Sequence, residues 1–215
     1  MCFSASASFT VAAFAAAAGI VAVSRHTRPG DLALASMPFV FSVQQVIEGI
    51  LWLELSSLPP GSSTQSPLGT AFLVIAQAWW PVYAPLSAIL AEGRRPHRFV
   101  MFAALAGGIA LSAHFLAKIA SQPVSVSVMG SHLFYSMSEP AYLPLATAYL
   151  AAIAIPFMVS SHATLRLLGY LVTGGAVIAA AVGSEAFVSL WCFLAAVASC
   201  IIGWHFLRQD RPASG

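Results

Sequence analysis

A carboxylate and two carboxamides interrupt an otherwise apolar run, Ser42-Val43-Gln44-Gln45-Val46-Ile47-Glu48-Gly49-Ile50-Leu51-Trp52. On a helix, Gln44 and Gln45 both border Glu48 on one face, and Trp52 stands one turn further along it. A carboxylate at bilayer depth costs several kcal/mol unless it is protonated, paired or wetted, so another part of the fold must meet Glu48. Amides and a carboxylate can bind a cationic or amide-bearing molecule. Tryptophan faces attract cations, and Trp52, Trp79, Trp80 and Trp191 are available. The candidate ligand-binding set is Gln44, Gln45, Glu48, Trp52, Gln77, Trp80 and Lys118.

Carboxylate, imidazole and thiolate also suit zinc or copper, with Cys2, Glu48, His114, His132 and Cys192 as candidate ligands. A metal would offset the burial of Glu48 and activate a water for hydrolysis, so a membrane-embedded metal-dependent hydrolase is one alternative. Ceramidase-like hydrolases combine seven spans with zinc, but their ligand pattern needs several intramembrane histidines. Only His114 is firmly intramembrane here, and neither His-Glu-x-x-His nor His-x-x-Glu-His occurs. A small-solute transporter or sensor is a second alternative. The plainest reading makes Glu48 a protonated or amide-bonded acid that pins helices together through Gln77, a serine or a freed backbone carbonyl. No residue is assigned a catalytic role.

Membrane helices must position these groups. Of 215 residues, 59% are hydrophobic and 7% charged, against roughly 25% charged in soluble domains. The expected fold is an all-α, polytopic seven-helix bundle. It forms one transmembrane domain over residues 1–215, with spans at about 4–24, 32–55, 68–91, 99–120, 140–159, 167–182 and 184–207. The first residues run directly into a helix without a basic n-region, so no separate signal peptide is expected. The expected partners are membrane lipid and a small-molecule ligand, not nucleic acid.

Within the third span, Pro81 and Pro85 should kink the helix and free carbonyls near Gln77. Val124-Ser125-Val126-Ser127-Val128 alternates with period two, which suits a short strand or hairpin. Residues 56–67 read as an uncharged polar loop. Small-residue stripes on the first span (Ser4, Ser8, Ala12, Ala15, Gly19) and the last (Ser189, Cys192, Ala196, Ser199, Gly203) favour close helix packing, within one chain or in a homo-oligomer. Cys2, Cys192 and Cys200 form no C-x-x-C motif and indicate no disulfide framework.

Eight arginines, at positions 25, 28, 94, 95, 98, 166, 208 and 211, all fall in the first, third or fifth loop or the C-terminal tail. The positive-inside rule then places the C-terminus in the cytoplasm and the N-terminus outside, in a plasma (inner) membrane. At 1.5 Å per residue Glu48 stands roughly 22–24 Å above the inner end of its span. His114 lies at a similar height, while Glu54, Lys118, His132, Glu139 and Glu185 fall near the outer surface. Ionisable chemistry therefore collects in the outer half, and the expectation is an outward-facing pocket with Glu48 at its floor. His26, His97, His162 and His205 are expected to be solvated or lipid-facing near the inner surface.

Several segments carry a resemblance: Met1-Cys2-Phe3-Ser4-Ala5, the run Gln44 to Trp52, Trp80-Pro81, and Ser189-Leu190-Trp191-Cys192-Phe193-Leu194-Ala195-Ala196 with Ser199. Together they resemble a functionally unassigned family of small multi-pass membrane proteins that open with Met-Cys-Phe-Ser-Ala. The resemblance covers most of the chain and implies no catalytic assignment. It draws attention to Cys2, Gln45, Glu48, His132 and Cys192 as motif positions. The microbial rhodopsin pattern fails for want of a lysine in the last span, and the proline-glutamine pairs of sugar and cystine carriers are missing.

Overall fold

The computed structural model describes residues 4–59, 61–92, 95–130, 132–136, 143–182 and 187–209. The expected calls at Cys2, Glu139 and Glu185 lie outside them. Helix α1 (Ala5–Arg25) is capped by Ser4, whose hydroxyl accepts from the Ala7 N–H. Helix α2 (Leu32–Ser56) carries the Gln44–Glu48 motif. The third span comprises α3 (Pro67–Leu73), a π-helical segment Val74–Trp79, and α4 (Trp80–Ala91). Then come α5 (Arg95–Ser121), α6 (Leu143–Met158), α7 (Ala163–Val182) and α8 (Phe187–Gln209). Among the described residues, six helical stretches are long and apolar enough to cross a membrane, and Pro144–Met158 is a shorter apolar helix. The chain is thus a helical, multi-pass membrane protein.

Small residues set the packing around α1, which lies against α2 and α8. Ser8, Ala12, Ala15 and Gly19 are buried there, as the stripe predicts. On α2, a Cβ at Gly49 would come within 2.7 Å of the Phe9 ring.

Proline chemistry shapes the third span. Pro81 has no N–H and its ring excludes a normal carbonyl one turn earlier. The chain responds with the π-helical turn just before it, a known way to absorb a break in the hydrogen-bond ladder. The carbonyls of this segment find side-chain donors: the Tyr149 hydroxyl donates to Ala76 O, which Pro81 cannot reach with an N–H, and Ser112 Oγ donates to Ala78 O at 2.7 Å. Pro85 likewise offers no N–H to the Pro81 carbonyl, and that carbonyl abuts Gly108 of α5, where any Cβ would overlap it. The irregularity expected in the third span takes the form of this π-helical segment.

The long fourth loop forms a hairpin of β2 (Ser125–Met129) and β3 (His132–Tyr135), turning at Gly130 with φ +62°. The second loop adds β1 (Ser63–Gln65), antiparallel to β2 with Thr64 opposite Val126. This third strand is not apparent in the sequence, because Ser-Thr-Gln has no apolar alternation and its order comes from pairing with β2. The all-α reading therefore gains a small three-stranded sheet. Val124, Val126, Leu133 and Tyr135 turn inward onto Leu51, Leu55, Phe72 and Leu73. Tyr135 stacks on Phe72, with ring centroids 4.7 Å apart and planes 2° from parallel.

At the opposite end, the first, third and fifth loops meet. Arg28 grips Asp31 through two N–H···O bonds of 2.9 and 2.7 Å and donates to Ala91 O at 3.1 Å. Asp31 holds the Arg28 guanidinium above its ordinary pKa through that bonding. Glu92, buried rather than solvated, accepts from Ser160 Oγ and from the N–H and hydroxyl of Ser161. His205 corrects another expectation. It is buried, with its ring 5.4 Å from His162, because the end of α8 packs against the α6–α7 turn.

Candidate functional site

Glu48 is 2% exposed, and Gln44 and Gln45 are fully buried. The Gln45 side-chain amide donates to Glu48 Oε2 at 3.1 Å. Ser189 Oγ of α8 donates to Glu48 Oε1. Gln44 does not bond Glu48, although the helical spacing places both amides beside it. Its Oε1 instead accepts from the Trp80 indole N–H at 2.9 Å. Trp80 is fixed by stacking on Phe41, centroid to centroid 3.9 Å. The motif therefore joins three spans: Glu48 reaches α8 and Gln44 reaches α4.

Helical phase places Cys192 at this site. Helix α8 runs antiparallel to α2, so Cys192, one turn beyond Ser189, comes level with Gln44. Its thiol lies within electrostatic reach of both Gln44 and Glu48. Gln77 precedes Trp80 on the π-helical segment and is 7% exposed. The Tyr135 hydroxyl approaches from the sheet, where burial, and then the nearby Glu48, raise it well above the ordinary tyrosine range. It therefore stays protonated and can act as a donor.

Several buried polar atoms in this region have no hydrogen-bond partner among the described residues: Gln44 Nε2, Gln45 Oε1, Gln77 Oε1 and Trp52 Nε1. Each such atom costs about 1–3 kcal/mol when left unpaired, and buried groups of this kind call for an explanation. Trp80 and Cys192 also form part of the wall of a cavity of about 40 Å³, lined mainly by aromatic and aliphatic groups including Phe41, Tyr149 and Trp191. The polar cluster and the apolar cavity thus share two side chains.

The candidate metal ligands do not assemble. His114 lies on the exposed side of α5, because Phe115 and Ile119 take the inward face and His114 is a third of a turn away. Lys118, one turn on from His114, is half-buried on α5 and not in the Glu48 cluster. His132 alternates with the inward Leu133 and Tyr135, so the two-residue period puts it on the sheet face opposite the Glu48 cluster. Among the described members of the set, Glu48 and Cys192 alone are neighbours, and no group of three His, Cys, Asp or Glu side chains suited to a metal occurs among the described residues. Ser189, Tyr135 and Tyr149 are the participants that spacing alone does not single out. Ser189 was legible only as a small residue on a packing face.

These features define a polytopic helical membrane protein with a buried, partly unsatisfied polar cluster. The chain belongs to a family of unknown function, DUF6629, whose model matches residues 1–214. No curated protein and no solved structure matches it.

Proposed function

We propose that this protein binds a small molecule in a pocket centred on Glu48, within a seven-span bundle of an inner or plasma membrane. The observation that carries the reading is the set of unpartnered amide atoms on Gln44 and Gln45 of the helix that carries the buried Glu48, with another on Gln77 of the neighbouring span. A cluster serving only to pin helices would gain by satisfying them, since a half-satisfied polar network is worse than an apolar core. A seventh span is supported by α6, which follows the sheet loop and leads into the arginine-rich end. The Arg28, Glu92 and Arg166 loops gather at that end, and the positive-inside rule makes it cytoplasmic. The sheet and the Glu48 cluster then face outward.

A zinc or copper centre, and with it a metal-dependent hydrolase, has less support because His114 and His132 point away from Glu48. Ligand sensing or binding is the reading that remains.

The test is a thermal-shift and tryptophan-fluorescence screen of the purified protein against a chemically mixed panel of small neutral, cationic and anionic compounds. Compounds that stabilise the natural protein should lose their effect on folded Glu48→Gln. The reading fails if folded Glu48→Gln responds to every compound as the natural protein does, or if no compound changes either protein.

A further inference from the structure

We infer that the molecule bound at Glu48 is an alkyl primary ammonium ion, an inference that rests on the pocket reading above. Charge is the first argument. The groups bonded to Glu48, Gln45 and Ser189, are both neutral, so neither balances an ionised carboxylate. A buried carboxylate without a counter-charge is strongly unfavourable, and a cationic guest supplies one.

Donor count is the second argument. A carboxylate offers about four lone-pair sites, and Glu48 uses two of them. Gln45 Oε1 and Gln77 Oε1 are buried acceptors without donors. Gln77 precedes Trp80, the partner of Gln44, by three residues on the π-helical segment. A primary ammonium carries three N–H donors and no acceptor, one each for Glu48, Gln45 and Gln77. A quaternary ammonium has none of these donors, and a bare metal ion has no use for an apolar annex.

The annex is the third argument. The cavity begins at Cys192 and Trp80, which border the polar cluster, and continues between Tyr149 and Trp191. Its lining is almost wholly aromatic and aliphatic, which suits an alkyl chain. The indole faces beside it favour a cation at the mouth.

The test uses the full chain in phosphatidylcholine nanodiscs, free of lipid primary amines, with thermal unfolding as the readout. n-Propylammonium should give a saturable rise in Tm of about 5 °C at high occupancy. At equal concentration 1-propanol, tetramethylammonium and sodium chloride should give none. Methylammonium, which has no chain for the apolar cavity, should bind at least tenfold more weakly than propylammonium. Glu48→Gln should bind propylammonium at least tenfold more weakly, and Ala195→Leu, which fills the cavity, should do the same. If Ala195→Leu does not fold, the comparison of methylammonium with propylammonium still decides the point. An equal response to propanol, a response to sodium alone, or equally tight binding of methylammonium overturns the inference. Stabilisation by phosphatidylethanolamine nanodiscs without any response to propylammonium also overturns it and assigns the ammonium to a lipid headgroup. A Glu48-dependent hit elsewhere in the mixed panel, with no response to amines, removes the inference and leaves the pocket in place.

Discussion

The Trp80 indole N–H donates to Gln44 Oε1 at 2.9 Å, and this bond turns Gln44 away from Glu48 and ties α2 to α4. Trp80→Phe keeps most of the ring but strands the Gln44 carbonyl in a fully buried position. The expected loss is about 1–3 kcal/mol of stability, read as a lower thermal midpoint in detergent. Gln44→Leu with Trp80→Phe removes both partners and should recover part of that loss. A double mutant that is simply the sum of the singles would show that the two side chains are not coupled.

Ser189 donates to Glu48 Oε1 from the neighbouring span. Ser189→Ala should destabilise by about 1–3 kcal/mol, because it leaves one carboxylate oxygen short of a donor. Ser189→Thr, which keeps the hydroxyl, should stay closer to the natural protein. In a Glu48→Leu background Ser189→Ala should be nearly silent. Equal effects in both backgrounds would place the role of Ser189 in packing alone.

Much of the fold was legible because membrane burial leaves strong marks. Composition gave the helices, arginine placement gave one common end for three loops, and prolines at 81 and 85 gave the irregular third span. The period-two alternation from Val124 to Val128 gave β2, whose inward and outward residues follow it. Site geometry was less legible. Residue spacing placed Gln44, Gln45 and Glu48 on one face of α2, but the partner across the interface decides what each one bonds. Trp80 claims Gln44, and Ser189 claims Glu48. His114 misleads for a related reason: a polar residue inside a span need not face the interior, and here Phe115 and Ile119 win that face. β1 could not be read from Ser63-Thr64-Gln65, because its order depends on a strand more than fifty residues away.

Gly108 is the point where α5 passes the Pro81 carbonyl. Gly108→Ala should therefore force α4 and α5 apart beside the π-helical turn, at a cost of about 1–3 kcal/mol or more. The adjacent Gly107 has open space at its Cβ position. Gly107→Ala should be neutral or stabilising by a few tenths of a kcal/mol from helix propensity. Comparing folded yield and Tm for the two variants separates a steric effect at one position from a general intolerance of α5 to substitution. Equal behaviour would contradict the close approach at Gly108.

Glu92 joins the end of the third span to the turn between α6 and α7. Its carboxylate accepts from Ser160 Oγ at 3.2 Å and from the N–H and hydroxyl of Ser161, each at 2.7 Å. Arg166 holds the same turn through the Ser160 and Ser161 carbonyls. Bonds to a charged acceptor contribute about 1.5–3 kcal/mol, so Glu92→Ala should lower Tm by several degrees, while Glu92→Gln, which keeps an acceptor oxygen, should lose less. This end carries no candidate ligand-binding residue, so propylammonium should raise the Tm of folded Glu92→Gln by as much as it does that of the natural protein. A change in amine affinity in that variant would mean that the two ends of the bundle are coupled, and the separation of a structural arginine-rich end from a binding end around Glu48 would have to be abandoned.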